Sequence, residues 1–293
     1  MENRILAIVV SHNGEKWLRK CLSSVYSSTV KADVLVVDNA SQDSSVEIIK
    51  KEFPQAILRI SKENLGFAEA NNLGFAYALS NAYDFVYLLN QDAWVLKDTF
   101  EKLITAYRVT PKFGIISPFQ MKADMSGPDE QFRKHAFIKN HDNLPYNVRF
   151  VMAAHWLVSR ECLESVGFFS PAFKHYGEDN NYCDRALYHG FMIAVVPTAV
   201  GVHDRASRPR PKRYRMESKV RMARVRISNP GSFAAVEIIT QTLWLCAMSL
   251  IHRSLIPVKS VPSLFRDYKE LLRLKNISKD LGAFIPESVS ETL

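Results

Sequence analysis

The stretch of sequence that decides the fold is residues 5–13, ILAIVVSHN, in which six apolar residues are followed at once by three polar ones. An unbroken run of Ile, Leu and Val is typical of a β-strand that is covered on both faces of a sheet. Three further runs of this kind follow along the chain, with a fifth candidate after them, at 34–37, 56–60, 85–89 and 114–118.

The segments between these runs have the length and the apolar spacing of helices, at 15–28, 44–53 and 67–81. Strands that alternate with helices predict an α/β fold, a mostly parallel sheet with helices on both faces. Ligands of such sheets bind beyond the carboxyl ends of the strands. We therefore expect the functional residues among the polar positions that follow the strands, at 11–13, 38–41 and 90–92.

The second half of the chain is less regular. We predict a loop excursion at 120–149 and an apolar run at 150–158. A short helix at 159–166, a last strand at 191–202 and a C-terminal helical extension from 209 onward follow. The first apolar run is too short for a signal peptide. Four cysteines without a CxxC pair favour a reducing compartment, so we expect a cytoplasmic protein.

The net charge of +8 is confined to one segment, because ten Lys or Arg and two acids lie between residues 203 and 226. Tyr214 is the one aromatic residue there, which offers little base stacking and argues against nucleic-acid binding. The apolar segment 233–251 contains Glu237 and further polar residues, so a transmembrane helix is less expected than a buried or interfacial one. Beside a basic stretch, such a helix suits the inner face of an anionic membrane, and a solvated basic helix is the alternative.

Several polar clusters could carry chemistry, and each has a plain structural alternative. Asp38 could accept a hydrogen bond from a ribose or a base, or residues near it could cap a helix. The segment 64–74 places two glycines and three asparagines at a helix start, where anions bind, although it lacks the GxGxxG pattern. Asp92 could bind a cation with a diphosphate, or simply end a strand in solvent. Glu178 and Asp179 could separate in pKa, so that one serves as a base while the other accepts structural or acceptor-sugar hydrogen bonds. Alternatively, they are simply acids at a helix N-terminus, which the helix dipole favours.

The order of these clusters resembles that of glycosyltransferase family 2, the inverting nucleotide-sugar transferases of GT-A fold. The resemblance spans about residues 4–206. It depends on the motifs at 9–13, 37–41, 64–67, 71–74, 89–92 and 177–179, on Arg185 and on His203.

The resemblance implies a role for each matching position. Nucleotide binding would involve Ser11, Asn13, Asp38, Asn64, Gly66, Asn71 and Gln91. Asp92 and His203 would bind a divalent metal, Mg²⁺ or Mn²⁺. A separate hypothesis, which does not come from the resemblance, is that nearby Arg205 or Arg208 adds positive charge near the diphosphate. Asp179 would be the catalytic base, and Glu178 would contact the acceptor.

The expected activity is inverting transfer of a sugar from a UDP-, dTDP- or GDP-sugar to a hydroxyl of a glycan or lipid-linked glycan, in cell-surface polysaccharide synthesis. Residues 1–208 would form the GT-A catalytic domain and residues 209–293 a basic and apolar helical extension. The chain departs from the family pattern at Asn90, which replaces an acid, at 168–170 and at 180–181. A nucleotidyltransferase, or a family-2-like protein without activity, remains as the alternative.

Overall fold

A computed structural model describes residues 3–110, 112–139, 141–173, 176–205 and 211–290. The strands are β1 Ile5–Ser11, β2 Asp33–Asp38, β3 Ile57–Ile60, β4 Phe85–Asn90, β5 Ala93–Val95, β6 Phe113–Lys122, β7 Tyr146–Val148, β8 His155–Ser159 and β9 Met192–His203. The helices are α1 Glu15–Tyr26, α2 Ser45–Glu52, α3 Gly66–Ser80, α4 Thr99–Val109, α5 Glu130–His135, α6 Arg160–Val166, α7 Glu178–Tyr188, α8 Lys212–Ser228, α9 Ala234–Ile251, α10 Ile256–Lys259, α11 Val261–Ile277 and α12 Glu287–Ser290.

The strands form one sheet in the order β3-β2-β1-β4-β8-β6-β9-β5, with β7 also paired to β9. The first four strands are parallel, and so are β6 and β9, whereas β8, β5 and β7 are antiparallel to their neighbours. Parallel neighbours need a crossover connection, and α1, α2 and α3 provide it for the first four strands. After β6 the described residues form only α5 and β7 before the chain returns as β8, so the sheet is more mixed than the sequence predicts.

Helices cover both faces of the sheet, as expected. Side chains alternate along β1, so that Ile5, Ala7 and Val9 pack with α1, α2 and α4, while Leu6 and Ile8 pack with α3, α6 and α7. Both sets are almost fully buried. The near-continuous apolar run of β1 is thus explained by its central place between two helical layers.

Two predictions made from local sequence need correction. The run 56–60 was expected to be a buried strand, but β3 lies at the sheet edge and Ile60 is 54% exposed. The segment 120–149 was expected to be a loop, yet β6 continues to Lys122, Asp129 caps α5 by accepting hydrogen bonds from two backbone amides, and β7 pairs with β9. These elements are short, and β7 is stabilised by its partner strand rather than by its own pattern.

The C-terminal helices form a cluster of their own. Helices α8, α9 and α11 pack through Ala223, Ile227, Ile238, Leu245, Leu264 and Leu271. Most of residues 211–290 are therefore helical, and the division into a catalytic domain and an extension stays a prediction. The predicted boundary between residues 208 and 209 falls within 206–210, outside the described residues.

The end of the chain returns to the N-terminal sheet domain. The backbone amide of Phe168 donates to the carbonyl of Ala283 at 2.9 Å, and the guanidinium of buried Arg185 lies 4.8 Å from the ring centre of Phe284. Val289 also packs against the apolar cluster on the α3 side of the sheet. The last part of the predicted extension is thus packed into the sheet domain.

Candidate active site

Ser11 and Asp38 end two neighbouring parallel strands and are paired in register. Both residues are at most 1% exposed, and Ser11 Oγ and Asp38 Oδ1 have no hydrogen-bond partner among the described residues. Asp38 Oδ2 accepts a hydrogen bond from the amide of Ser41 at 3.1 Å. Buried oxygens without partners are uncommon in folded proteins, so this pair has acceptor capacity for a bound molecule.

The loops after β1 and β2 are tied to each other through Asn13. Its backbone amide donates to Ser41 Oγ at 2.9 Å, and its Oδ1 accepts from the amide of Gln42 at 2.8 Å. Asn13 also has a positive φ of 50°, a conformation that asparagine tolerates better than most residues. Asn13 therefore shapes the loop pair while its side chain stays exposed.

Asn39 is a buried link that the sequence did not single out as a site residue. Its Nδ2 donates to Asn64 Oδ1 at 3.0 Å and to the carbonyl of Gly66 at 3.1 Å, and its Oδ1 accepts from the amide of Leu65 at 2.8 Å. The start of α3 is thereby held against the end of β2. A polar residue directly after Asp38 was the available signal.

Asn71, predicted to contact the nucleotide, lies farther inside α3. It is 1% exposed, and its Nδ2 donates to the carbonyl of Phe67 at 2.8 Å, one turn earlier in the same helix. Its amide group is therefore engaged with its own helix in this structure. Gly66, by contrast, begins α3 with φ of 82°, where a side chain would be strained.

Gln91 connects the end of β4 to the loop after β1. Its Oε1 accepts from the amide of His12 at 2.9 Å, and its Nε2 donates to the carbonyl of His12 at 3.1 Å. A Cβ at Gly14 would lie 2.3 Å from Gln91 Oε1, so a side chain there would displace the Gln91 amide from its present position. Gln91 thus fixes the loop that carries Asn13, and its predicted nucleotide contact would be made from this position.

Asp92 and His203 lie together at the same edge of the sheet. Both are 1% exposed, and His203 Nε2 is 3.3 Å from Asp92 Oδ1. Burial lowers the pKa of His203, against the opposing effect of its hydrogen bond to Asp92. Arg205 Nε donates to His203 Nδ1 at 3.1 Å. Arg208, the other predicted cation, lies outside the described residues.

His155 lies behind this pair, with its ring centre 6.4 Å from that of His203. Its Nε2 donates to the carbonyl of Val202 at 3.1 Å, and its Nδ1 accepts from the hydroxyl of Tyr87 at 2.9 Å. Burial lowers its pKa to about 3, so it is neutral at physiological pH. The sequence analysis missed this residue, although a histidine inside the apolar run 150–158 was a signal.

The donor set of Asp92 and His203 fits a divalent cation that is shared with a bound ligand. A carboxylate and an imidazole are ordinary ligands of Mn²⁺, and phosphate oxygens and water can complete its coordination. Among the described residues no group of three or more His, Cys, Asp or Glu side chains is placed to hold a metal by itself. The pair therefore suits a cation that arrives with a diphosphate.

Glu178 and Asp179 occupy the first turn of α7, which follows Gly177 at φ of 100°. Glu178 is 6% exposed, and its Oε2 has no hydrogen-bond partner within the described part of the chain. Asp179 is half-buried, and its Oδ1 accepts from the amide of Asn180 at 2.8 Å. The two neighbouring carboxylates thus have different environments.

These environments separate the two protonation equilibria. Burial, and then the charge of Asp179, raise the pKa of Glu178 to about 8, with Arg221 among the groups that oppose the rise. Burial raises the pKa of Asp179 to about 6, and hydrogen bonds and Arg205 oppose it. Glu178 therefore keeps its proton to higher pH, while Asp179 is the carboxylate that is ionised at neutral pH.

Helix α8 contributes a cation to this region. The Arg221 guanidinium lies 5.0 Å from the ring centre of Tyr176 and 5.2 Å from that of Tyr214. Tyr176 stands two residues before Glu178 and has a positive φ of 65°. The C-terminal extension thus borders the turn that carries the paired carboxylates.

Sequence comparisons identify the family of the chain. Residues 6–167 match the family described as Glycosyl transferase family 2. Glycosyltransferase GlyA of Streptococcus pneumoniae is 37% identical over 106 residues, which cover 35% of this chain and 15% of GlyA. The dTDP-rhamnosyl transferase RfbF of Shigella flexneri is 23% identical over 69% of this chain and 70% of its own length.

Solved structures show the same fold at low sequence identity. S. aureus TarS 1–349 in complex with UDP matches 99% of this chain and 83% of its own, with a TM-score of 0.58 and 16% identity. GalNAc-T7 with UDP, GalNAc and Mn²⁺ matches 80% of this chain and 52% of its own, with a TM-score of 0.54 and 14% identity. These neighbours confirm the expected GT-A fold. The matched segment covers more than half of the sequence, and the chain belongs to glycosyl transferase family 2.

Proposed function

We propose that this glycosyltransferase is an inverting enzyme that moves a sugar from a nucleoside-diphosphate sugar to a hydroxyl of a glycan or lipid-linked glycan, in cell-surface polysaccharide synthesis. The observation that carries the proposal is the position of Arg205 close to both His203 and Asp179. It donates a hydrogen bond to His203 and lowers the pKa of Asp179 through its charge. Arg205 therefore links the candidate metal pair to the candidate base in one site.

The proposed donor pocket lies at the ends of β1 and β2. The unpartnered oxygens of Ser11 and Asp38 would accept hydrogen bonds from the base or the ribose of the nucleotide. The start of α3, held by Asn39 against Asn64 and Gly66, would lie along the same nucleotide. The names of two similar proteins, a dTDP-rhamnosyl transferase and TarS with bound UDP-GlcNAc, support a UDP- or dTDP-sugar, and a GDP-sugar is the other candidate.

The proposed base is Asp179, because it is the member of the acidic pair that is ionised at neutral pH. It would take the proton from the acceptor hydroxyl as the acceptor oxygen attacks the anomeric carbon. The bond from that carbon to the diphosphate oxygen breaks on the opposite face, so the configuration inverts and the electron pair leaves with the diphosphate. Protonated Glu178 would donate a hydrogen bond to the acceptor.

Asp92 and His203 would hold a divalent cation, Mg²⁺ or Mn²⁺, together with oxygens of the donor diphosphate. When bound, the cation would stabilise the negative charge of the leaving nucleoside diphosphate. Arg205 would contribute positive charge beside the same pair. GalNAc-T7, whose structure contains Mn²⁺ and UDP, supports this choice of metal.

A donor panel tests the proposal. The full chain is incubated with UDP-, dTDP- and GDP-sugars, with and without Mn²⁺, and thermal shift and nucleotide release are measured. We expect one nucleotide class to raise the melting temperature, more strongly with Mn²⁺, and Asp92→Asn to reduce that metal-dependent increment. A protein that binds none of these donors under any condition would refute the proposed function.

A further inference from the structure

We propose that the outer face of α9 is a docking surface for an anionic lipid bilayer. The surface consists of exposed apolar residues that recur along one side of the helix and just beyond both of its ends: Phe233, Val236, Ile239, Leu243, Leu250, Ile251 and Leu255. This inference concerns where the enzyme is held, and it goes beyond the proposed transfer reaction.

Helix α9 has two opposite apolar faces. Val236, Leu243 and Leu250 follow one another at seven-residue intervals, so they lie in one row along the helix. The opposite row is Ala234, Ile238, Gln241 and Leu245, which is buried, and two of these residues join the cluster with α8 and α11. We call the buried row the inner row and the row of Val236, Leu243 and Leu250 the outer row. Since the inner row already packs against α8 and α11, the outer row is available to contact another apolar environment.

The apolar side chains of the outer row are largely exposed to solvent. Leu243 is 65% exposed and Leu250 is 81% exposed. By length and composition, α9 could also cross a bilayer, since its 18-residue window has a mean hydropathy of 1.6. A spanning orientation would separate the inner row from α8 and α11, however. The packed geometry therefore favours a helix that lies in the plane of the lipid headgroups.

The charge of the extension favours anionic lipid over a second copy of the chain. Residues 211–290 contain fourteen Lys and Arg and six Asp and Glu, and the remainder of the sequence has equal numbers of basic and acidic residues. Residues 211–290 thus have a net charge of +8, and the sum over the other residues is zero. Two copies joined through this face would bring like charges together, whereas a negative membrane surface attracts them.

The cations adjoin the apolar surface directly. Lys212 Nζ donates to the carbonyl of Arg253 at 3.3 Å, so the basic start of α8 lies beside the end of α9. Arg253 is itself exposed and stands between Ile251 and Leu255 in the sequence. Interleaved cations and large apolar side chains at one end of a helix match the headgroup and acyl boundary of an anionic bilayer.

Vesicle binding of the full chain tests the inference. The probes are vesicles of phosphatidylcholine alone and of phosphatidylcholine mixed with phosphatidylglycerol, with binding measured by co-sedimentation. We expect binding to the mixed vesicles that weakens as salt is raised. Leu243→Glu with Leu250→Glu should reduce it at least about tenfold, because two charges would have to enter the acyl boundary.

A charge-reversal variant tests the electrostatic contribution to binding, and a variant outside α9 serves as the control. Lys212→Glu with Arg253→Glu should weaken binding to mixed vesicles about tenfold or more while melting temperature is kept. Val109→Glu is the matched control, since Val109 is 75% exposed on α4 of the sheet domain, and it should leave vesicle binding unchanged.

The vesicle-binding measurements test this surface directly and do not depend on the transfer reaction. If the wild-type chain fails to bind mixed vesicles, or if Val109→Glu weakens binding as much as the α9 variant, the inference is wrong. Concentration-dependent dimers in sedimentation velocity that the α9 variant abolishes, without vesicle binding, would assign the face to a second copy. Donor-induced thermal shift of the α9 variant should equal that of the wild type, so loss of docking is distinguishable from loss of donor binding.

Discussion

Ser11 and Asp38 stand opposite each other at the ends of β1 and β2, and each keeps a buried oxygen without a hydrogen-bond partner among the described residues. The two positions are separated by α1 in sequence, and the parallel pairing of the strands brings them together. A buried carboxylate oxygen without a partner is costly in a ligand-free protein. The relationship therefore leaves acceptor capacity at this edge of the sheet, which the proposed function assigns to the donor nucleotide.

Removal of the Asp38 charge should weaken donor binding. We expect Asp38→Asn to raise the dissociation constant of the nucleotide-sugar about 10- to 100-fold, because hydrogen bonds to a charged group contribute about 1.5–3 kcal/mol. Isothermal titration calorimetry with the responding donor measures the change. Asp33→Asn, at the opposite end of the same strand, is the matched control and should bind donor normally. Equal losses in both variants would contradict the assignment of Asp38 to the nucleotide pocket.

Replacement of the proposed base should abolish turnover and spare donor binding. Asp179→Asn should lower kcat about 10²- to 10⁴-fold, since an amide cannot accept the acceptor proton. The wild-type rate should rise with pH through about 6, where Asp179 loses its proton. Initial-rate measurements between pH 5 and pH 8, with Asp280→Asn as the control because this carboxylate is exposed beyond α11, test both statements. An Asp179→Asn variant with a normal rate would eliminate this residue as the base.

Glu178 should make the folded protein less stable as pH rises. Its pKa is raised from 4.5 to about 8 on folding, so the folded state binds more protons than the unfolded state between those two values. The free energy of unfolding contributed by this group therefore falls as pH increases from about 5 to 8. Arg221 on α8 and Asp179 are the charged groups that act on Glu178. Because glutamine does not titrate, Glu178→Gln should show a smaller fall.

Urea unfolding at several pH values measures this difference. The comparison with wild type at each pH cancels the contributions of titrating groups that do not interact with Glu178, provided that both chains unfold in two states. A variant whose stability falls with pH as steeply as that of the wild type would show that Glu178 does not titrate in this window.

The returning C-terminal segment should stabilise the sheet domain. Phe284 packs against Arg185 and the apolar cluster beside α3, while Leu281 is 76% exposed. Phe284→Ala should lower the free energy of unfolding by about 2 kcal/mol through lost apolar burial. Leu281→Ala, the matched control, should change it by less than about 0.5 kcal/mol. Thermal and urea unfolding check both values, and equal effects would mean that the tail does not pack in solution.

Much of the fold follows from local pattern. The apolar runs of β1, β2 and β4 and the periodic segments of α1 to α3 are visible in the sequence, because a strand between two helical layers must be apolar on both faces. The polar residues at or just after the ends of these strands, among them Ser11, Asp38 and Asp92, are visible because they follow the apolar runs directly. The order of the motifs indicated the family, which the comparison confirms.

The tertiary structure decided what depends on non-local pairing. It showed that β8 runs antiparallel between β4 and β6, that β7 is stabilised by β9, and that Gln91 is engaged with the His12 backbone. It also brought Arg221 of α8 to the paired acids and left one side of α9 exposed. Sequence alone determines periodicity and residue chemistry, because both depend on near neighbours. Which carboxylate keeps its proton, and which apolar face stays in water, depend on burial by distant parts of the chain.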